Sequence, residues 1–392
     1  MRELREKYLS TAEGFKARLT AMSDEFFRKP ELGLEEERTS AMMQEVLREA
    51  GFSIDSGVAG MKTAFKASFG SGSPKIALLA EMDALPGIGH GCGHNVAGMA
   101  SVGAGIALAK TLVGRLKQGE GTVLVLGTPA EELGKGKLEM IKAGIFDGID
   151  ASMMVHGSSR RTVLKHFLGL ERLNFTYCGK ASHASAYPEE GINALDAVIL
   201  LFNSIGLLRQ QSRSDVRIHG IITDGGRKPN IIPERAAASF YVRANDLKEL
   251  ASVKERVINC AKGAATATGC TLEVAGGGDL NAPMKINMAF IEVYRSALKA
   301  LGLKEDIQPP DKNVGSSDIG NVSQIMPTIH PHVPIRAGIN IHTREFAEAT
   351  VTPDGHRALM EGVNALGLTI IELLFNRDSL EALKKDFSDS RP

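Results

Sequence analysis

The chain contains no tryptophan, and Phe, Tyr and Trp together supply only 5% of its residues. That excludes aromatic platforms for stacking bases as its working surface. Four cysteines in 392 residues are too few for a disulfide framework. The 46 basic side chains are balanced by 46 acidic ones, so no basic excess exists to grip a phosphate backbone, and nucleic acid is not an expected partner. No apolar run is read as reaching the roughly 20 residues of a membrane span, so no membrane contact is expected. The opening MRELREKYLS is charged and lacks the apolar segment of a secretory signal. A soluble, cytoplasmic protein is the expectation. With 43% apolar and 23% charged residues the composition is that of an ordinary globular protein, and the length suits two domains.

The spacing of apolar residues predicts helices over 11–28 and 34–50, parted by Pro30 and Gly33. KIALLAEMD (75–83), TVLVLGTPAEE (122–132) and ASMMVHG (151–157) are buried runs, separated by a small-residue helix (95–112) and a shorter helix (137–144). Buried runs alternating with helices imply an α/β domain with a mixed, mostly parallel central sheet. The middle of the chain changes character. Strands at 170–179, 216–223, 235–244 and 271–277 and helices at 193–211 and 247–269 spell β-α-β-β-α-β, the ferredoxin-like split βαβ unit. α/β character returns afterwards, with helices near 287–301 and 353–376, so the unit reads as an insertion. The expected division is 1–167 with 284–392, and 168–283.

Each buried run of the first domain ends in ionisable groups: Glu81 and Asp83, then Glu131 and Glu132, then His156. The carboxyl ends of parallel strands share one edge, where ligands of open α/β sheets bind. Between the first two runs lies GIGHGCGHN (87–95), a glycine-rich loop with His90, Cys92 and His94. Thiol, imidazoles and paired acids at one place are metal chemistry. Cys92 and His94, two residues apart in an extended loop, would point the same way and share an ion. A Glu-Glu pair at a strand end would aim its members to opposite sides, one to ligate and one to handle water. Singly, each feature has an ordinary reading: a buried thiol, a solvated acidic face, a core histidine, a turn aspartate. Their joint placement at consecutive strand ends is what favours metal binding. By spacing alone, His330, His332 and His342 are competing ligands in the last part of the chain, and Asp318 is a turn residue or a pocket residue meeting a base.

EMDALPGIGHGCGHN, LGTPAEE, the VHG strand end, GKASHAS with PEEGINALDA, GRKPNIIPE with YVRA, SSDIGNVS and HTREF occur in this order. The set resembles the two-metal amidohydrolase and peptidase family of aminobenzoyl-glutamate hydrolases and plant indole-acetyl-amino-acid hydrolases. Its aminoacylase-1-like branch of β-alanyl-lysine and Xaa-Arg dipeptidases looks nearest. The resemblance spans about 20–380. It implies a catalytic domain carrying two divalent ions (zinc or manganese, or cobalt) and an inserted lid through which the chain forms a homodimer. By resemblance the metal ligands are Cys92, His94, Glu132, His156 and His342, and Glu131 is the general base. Asp83 orients a ligand, and His183 reaches across the dimer to the scissile carbonyl. Asn230 and Arg243 hold a substrate carboxylate. The substrate is then a dipeptide or N-acyl amino acid, with a basic C-terminal residue implied by the nearest branch. One departure stands out: the broader superfamily carries His-x-Asp where this chain has Glu81-Met82-Asp83, which leaves the second ion's ligands open and His90 as a candidate substitute. Asn95 replaces an acid found in many relatives. The rival chemistries are a two-metal aminohydrolase of aromatic amines, an aminobenzoyl-glutamate-type amidohydrolase, a Cys92–His94 cysteine hydrolase and a metal-stabilised binding protein.

Overall fold

The computed structural model describes residues 1–116, 119–306 and 315–390. Among these residues two units are distinguished: 1–166 with 284–306 and 317–390, and 167–283 with 315–316.

The first unit opens with helices α1 (Arg2–Arg28) and α2 (Glu37–Ala50). α1 begins earlier than its apolar spacing indicates. α2 begins at Glu37 rather than 34, because Leu34 adopts φ 72 and the Glu31 carboxylate accepts the Arg38 and Thr39 amides at 2.9 and 2.8 Å. Gly51, left-handed at φ 103, closes it. Strands β1 (Ser53–Ser56), β2 (Phe65–Gly72) and β3 (Lys75–Glu81) follow, then α3 (His94–Leu112), β4 (Glu120–Thr128), α4 (Gly136–Lys142), β5 (Ala151–Met153) and β6 (His156–Ser158).

The second unit holds β7 (Gly169–Cys178), α5 (Ala194–Leu208), β8 (Arg217–Asp224), β9 (Arg235–Ala244), α6 (Leu247–Thr268) and β10 (Thr271–Gly276). Its antiparallel sheet runs β10-β7-β9-β8. α5 and α6 pack against each other and the sheet around Phe175, Leu201, Phe240 and Val257. Asp246 caps α6 by accepting the Glu249 amide at 2.7 Å, and Gly269 ends it at φ 74.

The chain re-enters the first unit with α7 (Met288–Ala300), α8 (Ile319–Ile325), β11 (Thr328–Ile329), β12 (His332–Pro334), α9 (Arg344–Ala349), α10 (Pro353–Phe375) and α11 (Arg377–Asp389). The sheet order there is β1-β2-β4-β3-β5-β11. β4, β3, β5 and β11 are parallel, while the β1–β2 hairpin adds antiparallel edge strands, so the sheet is mixed. The third buried run is broken: β5 stays in the main sheet, and after Met154 and Val155 the chain pairs as β6 with β12 in a separate two-stranded sheet.

Two helices make the core of this unit. α3 is buried along almost its whole length, and its glycines let it approach β3 and α1 closely. α10 corrects the expectation that no segment is long enough to cross a membrane: it is long and apolar enough. Most of it is nevertheless buried, against α1, α3 and α7. Its apolar surface is spent on the protein's own interior, as in a core helix.

Candidate metal centre

Strand ends and loops of the first unit bring the ionisable residues together. β3 ends at Glu81, and Asp83 follows two residues later. The loop to α3 turns through Gly87, Gly89 and Gly93, all at positive φ, and delivers Cys92 and His94, the latter being the first residue of α3. β4 ends at Thr128, and Ala130 at φ 56 swings the chain so that Glu131 and Glu132 sit in a turn beyond the strand. His342 also has a positive φ, 64, and its amide is held by the Gly91 carbonyl at 2.7 Å. Non-glycine residues in this region cost strain and gather at functional sites.

Cys92 is the hub. Its Sγ lies 3.3 Å from His156 Nε2 and 3.4 Å from His342 Nε2. Donor atoms of Cys92, His94 and His156 lie within 4.8 Å of one another, and so do those of Cys92, Glu132 and His342. A third such group is His94, Glu131 and Glu132. Ligand atoms sharing one tetrahedral zinc stand about 3.3–3.7 Å apart, given bonds near 2.0–2.3 Å, so the two thiol–imidazole distances already match a common ion. The imidazoles are oriented for it. His94 Nδ1 donates to the Asp83 carbonyl at 2.8 Å and lies 3.1 Å from the Asp83 carboxylate, and His156 Nδ1 donates to the Gly157 carbonyl at 2.8 Å. With Nδ1 occupied, each Nε2 turns a lone pair into the cluster, the arrangement that metal-ligating histidines use. His94 Nε2 and Glu132 Oε1 are buried without a hydrogen-bond partner among the described residues. Orphaned donor atoms beside a thiol, in a thiol–imidazole–carboxylate set, fit divalent cations such as zinc.

The electrostatics agree. Burial pushes the Cys92 thiol well above its ordinary value, so a thiolate there needs a cation. Burial also lowers His156 to about 4, which keeps it a neutral ligand-type imidazole. Burial, with the Glu81 and Asp318 carboxylates, raises Glu131 well above the usual carboxylate range.

Several expectations are corrected. Glu131 and Glu132 do not aim to opposite sides: the turn after Ala130 lets both approach His94. Asp83, expected to orient a ligand, accepts the Glu132 amide at 2.8 Å as well as facing His94, so no correction arises there. His90 is buried but joins none of the ligand groups among the described residues, nor do His330 and His332, whose rings lie 5.2 and 5.5 Å from that of His156. Asn95 is structural, donating to Ser23 Oγ and Thr350 Oγ1 at 3.2 and 3.0 Å. Of the two readings of Asp318, a turn residue or one that meets a base, the structure has the second. Asp318 is fully buried with Lys137, whose Nζ lies 2.6 Å from Asp318 Oδ1 and 2.7 Å from Glu81 Oε1. Lys137 carried no signal of its own, since a lysine in a helix flank reads as surface.

His183, Asn230 and Arg243 lie in the second unit. His183 is exposed, and its Nδ1 accepts the Ser185 and Ala186 amides at 3.4 and 3.3 Å, which leaves Nε2 to carry the proton. Asn230 is exposed in a turn, its carbonyl accepting the Ala184 amide at 3.1 Å. Arg243, on β9, donates to Ser316 Oγ at 2.9 Å.

Residues 77–364 match the model of peptidase family M20/M25/M40. This chain belongs to that family. It is 35% identical over 383 residues to the Xaa-Arg dipeptidase of Mus musculus, covering 94% of this chain and 89% of the relative. It is also 35% identical to a p-aminobenzoyl-glutamate hydrolase polypeptide of Escherichia coli (strain K12), over 67% of this chain and 58% of that one. A solved dinuclear metal binding peptidase of the M20 family from Bacillus subtilis superposes with a TM-score of 0.72 at 21% identity, covering 92% of this chain and 99% of that one. The chain is thus a metal-dependent hydrolase of amide bonds, by family and by relatives that match it nearly end to end.

Proposed function

We propose that this M20 protein hydrolyses the amide bond of dipeptides, or of N-acyl amino acids with a free carboxylate, and favours a basic C-terminal residue. The observation that carries the reading is the convergence on Cys92 of two donor groups, one completed by His94 and His156 and the other by Glu132 and His342, with Glu131 beside them. Those five residues would hold two divalent cations, zinc, manganese or cobalt, with Cys92 common to both groups. Bound there, such ions bring the pKa of a water toward about 7 and polarise a carbonyl.

The chain's own groups do the rest. Glu131 takes a proton from water and passes it to the leaving amine, a task suited to a carboxyl whose protonated form is favoured by burial and by neighbouring Glu81 and Asp318. Asp83 holds the Glu132 amide and the His94 ring, and so fixes two ligands at once. His183, offered by a second copy of the chain, donates its Nε2–H to the carbonyl oxygen as that atom gains charge. Asn230 and Arg243 hold the substrate carboxylate, Arg243 through its two-pronged guanidinium. The basic preference rests on the Xaa-Arg dipeptidases, which match this chain nearly end to end. Dimerisation through the second unit is supported by the apolar side chains exposed there: Leu207 (76%), Ile199 and Leu200 on α5, and Ile221 (65%) and Ile222 on the edge strand β8. The four free cysteines fit a reducing, cytoplasmic setting.

The test is a steady-state panel of β-alanyl-lysine, other Xaa-Lys and Xaa-Arg dipeptides, aminobenzoyl-glutamate and an aromatic amine. Expected is turnover of the basic dipeptides, abolished by chelation and restored by zinc or manganese. Glu131→Gln should lose several orders of magnitude in kcat. Activity that survives chelation, or an unimpaired Glu131→Gln variant, would overturn the reading.

A further inference from the structure

Behind the metal centre lies a charged group that the reaction above does not use. Lys137 is a fully buried lysine, among the largest side chains excluded from solvent. Its Nζ touches two carboxylates that are themselves fully buried, Glu81 at 2.7 Å and Asp318 at 2.6 Å. Its backbone amide donates to the other Asp318 oxygen at 3.0 Å. The approach is possible because the preceding residue is Gly136: a Cβ there would collide with the Pro129 carbonyl. Carboxylate oxygens of Glu81, Asp318 and Glu131 lie within 4.8 Å of one another. Three clustered carboxylates in a dry interior are the donor set of a hard divalent cation. Here the ammonium of Lys137 already stands against two of the three.

The position matters because Glu131 belongs to that cluster and also approaches the ligands, its Oε2 lying 3.9 Å from His94 Nε2. A carboxylate coordinated by a further ion is a weaker base and takes a proton from water less readily. Glu81 is similarly constrained: one oxygen is taken by Lys137, and the other, buried and without a hydrogen-bond partner among the described residues, faces His94 Nε2 at 3.3 Å. Glu81 is fully buried, and the cation that stands against it is supplied by the chain itself, in Lys137.

We propose that Lys137 is a positioning residue of the hydrolytic site: its ammonium acts as a tethered cation in the Glu81–Glu131–Asp318 cluster and keeps Glu131 from being claimed by an additional divalent ion. The proposal rests on the reading of Glu131 as the proton acceptor. A lysine fixed to the backbone does what a freely exchanging ion cannot, since it neutralises the cluster at every metal concentration and leaves no open coordination position.

The experiment compares wild type, Lys137→Met and Lys137→Arg by equilibrium dialysis against Mn2+ with elemental analysis, alongside kcat and KM on a basic dipeptide. The expected result is that Lys137→Met binds one more equivalent of Mn2+ than wild type. Its kcat should fall at least about 100-fold, the scale of a lost general base, with KM nearly unchanged. Lys137→Arg, which keeps a cation, should retain the wild-type ion count. An unchanged Mn2+ count in Lys137→Met overturns the proposal. If Lys137→Met folds only with Mn2+ present, an ion is replacing the ammonium, as expected. If Lys137→Met and Lys137→Gln fold with no divalent cation and, once Mn2+ is supplied, bind no more of it than wild type, the lysine is a structural ion-pair partner and the proposal fails. The comparison is of differences between variants, so a wild type that binds no ions or cleaves no dipeptide would sink the proposed function and leave this inference to be judged on its own count.

Discussion

Replacing Gly98 by alanine should damage the metal centre without touching any proposed ligand. Gly98 sits on α3 one turn after His94, where the helix crosses the end of β3. A methyl group on Gly98 would press into the Glu81 carbonyl oxygen and come within 2.8 Å of Met43 Cε. The methionine end can rotate away, but the carbonyl is part of the sheet backbone and cannot. Restoring van der Waals separation requires the helix to retreat by roughly 1 Å, and overpacking of that kind costs about 1–3 kcal/mol. His94 rides on the same turn, and a misplacement of ~1 Å in a catalytic constellation costs on the order of 10²-fold in rate. Gly263, in the middle of α6, is the control: a Cβ there meets nothing within 4 Å. Gly263→Ala should therefore stabilise by about 0.5–1 kcal/mol through helix propensity alone. Thermal midpoints, kcat/KM and zinc affinity are read on both variants. A Gly98→Ala protein as stable and active as wild type would refute the claim that helix–strand contact at this glycine sets the position of His94.

Other consequences follow from individual groups. Cys92→Ala removes the atom common to two donor groups, so both ions should be weakened together in a zinc competition assay, whereas loss of one ion alone would show that the groups are independent. Burial lowers His90 to about 3 in the folded chain, against about 6.5 unfolded. The unfolded state then binds the proton first as pH falls, so metal-free protein should lose stability from about pH 6.5 downward. His90→Gln should show a shallower loss of thermal midpoint between pH 7 and 4, and equal slopes would contradict the assignment. If His183 serves the other copy's substrate, mixing inactive His183→Ala with inactive Glu131→Ala chains restores part of the activity, and verified exchange without recovery would exclude a shared site.

Much of this was legible along the chain, for reasons that differ by residue. β3 and β4 could be read because parallel strands buried on both faces are near-continuous apolar runs, and α3 because its small residues recur without a polar face. Cys92 and His94 could be found because a glycine-rich loop between two such runs lands on the ligand-binding edge. The direction of Glu131 and Glu132 could not, because it depends on Ala130 adopting a left-handed conformation that composition does not announce. The break after Met153 escaped for a similar reason: apolar residues run on through Val155, and only pairing with the distant β12 decides which sheet receives His156. The Lys137–Asp318 pair is separated by 181 residues, and neither partner has a local pattern that points to burial. α10 shows the converse hazard, a segment that would pass for a membrane span until its neighbours α1, α3 and α7 are seen to cover it.

The central claim is that one thiol and the donors around it hold a pair of divalent ions. A crystal structure of the zinc- or manganese-loaded protein, with anomalous data at the metal edge, tests it most directly. The account predicts two peaks per chain, one bounded by Cys92, His94 and His156 and the other by Cys92, Glu132 and His342, with Glu131 beside both and bound to neither. A single peak, peaks elsewhere in the chain, or ions that leave Cys92 uncoordinated would contradict it.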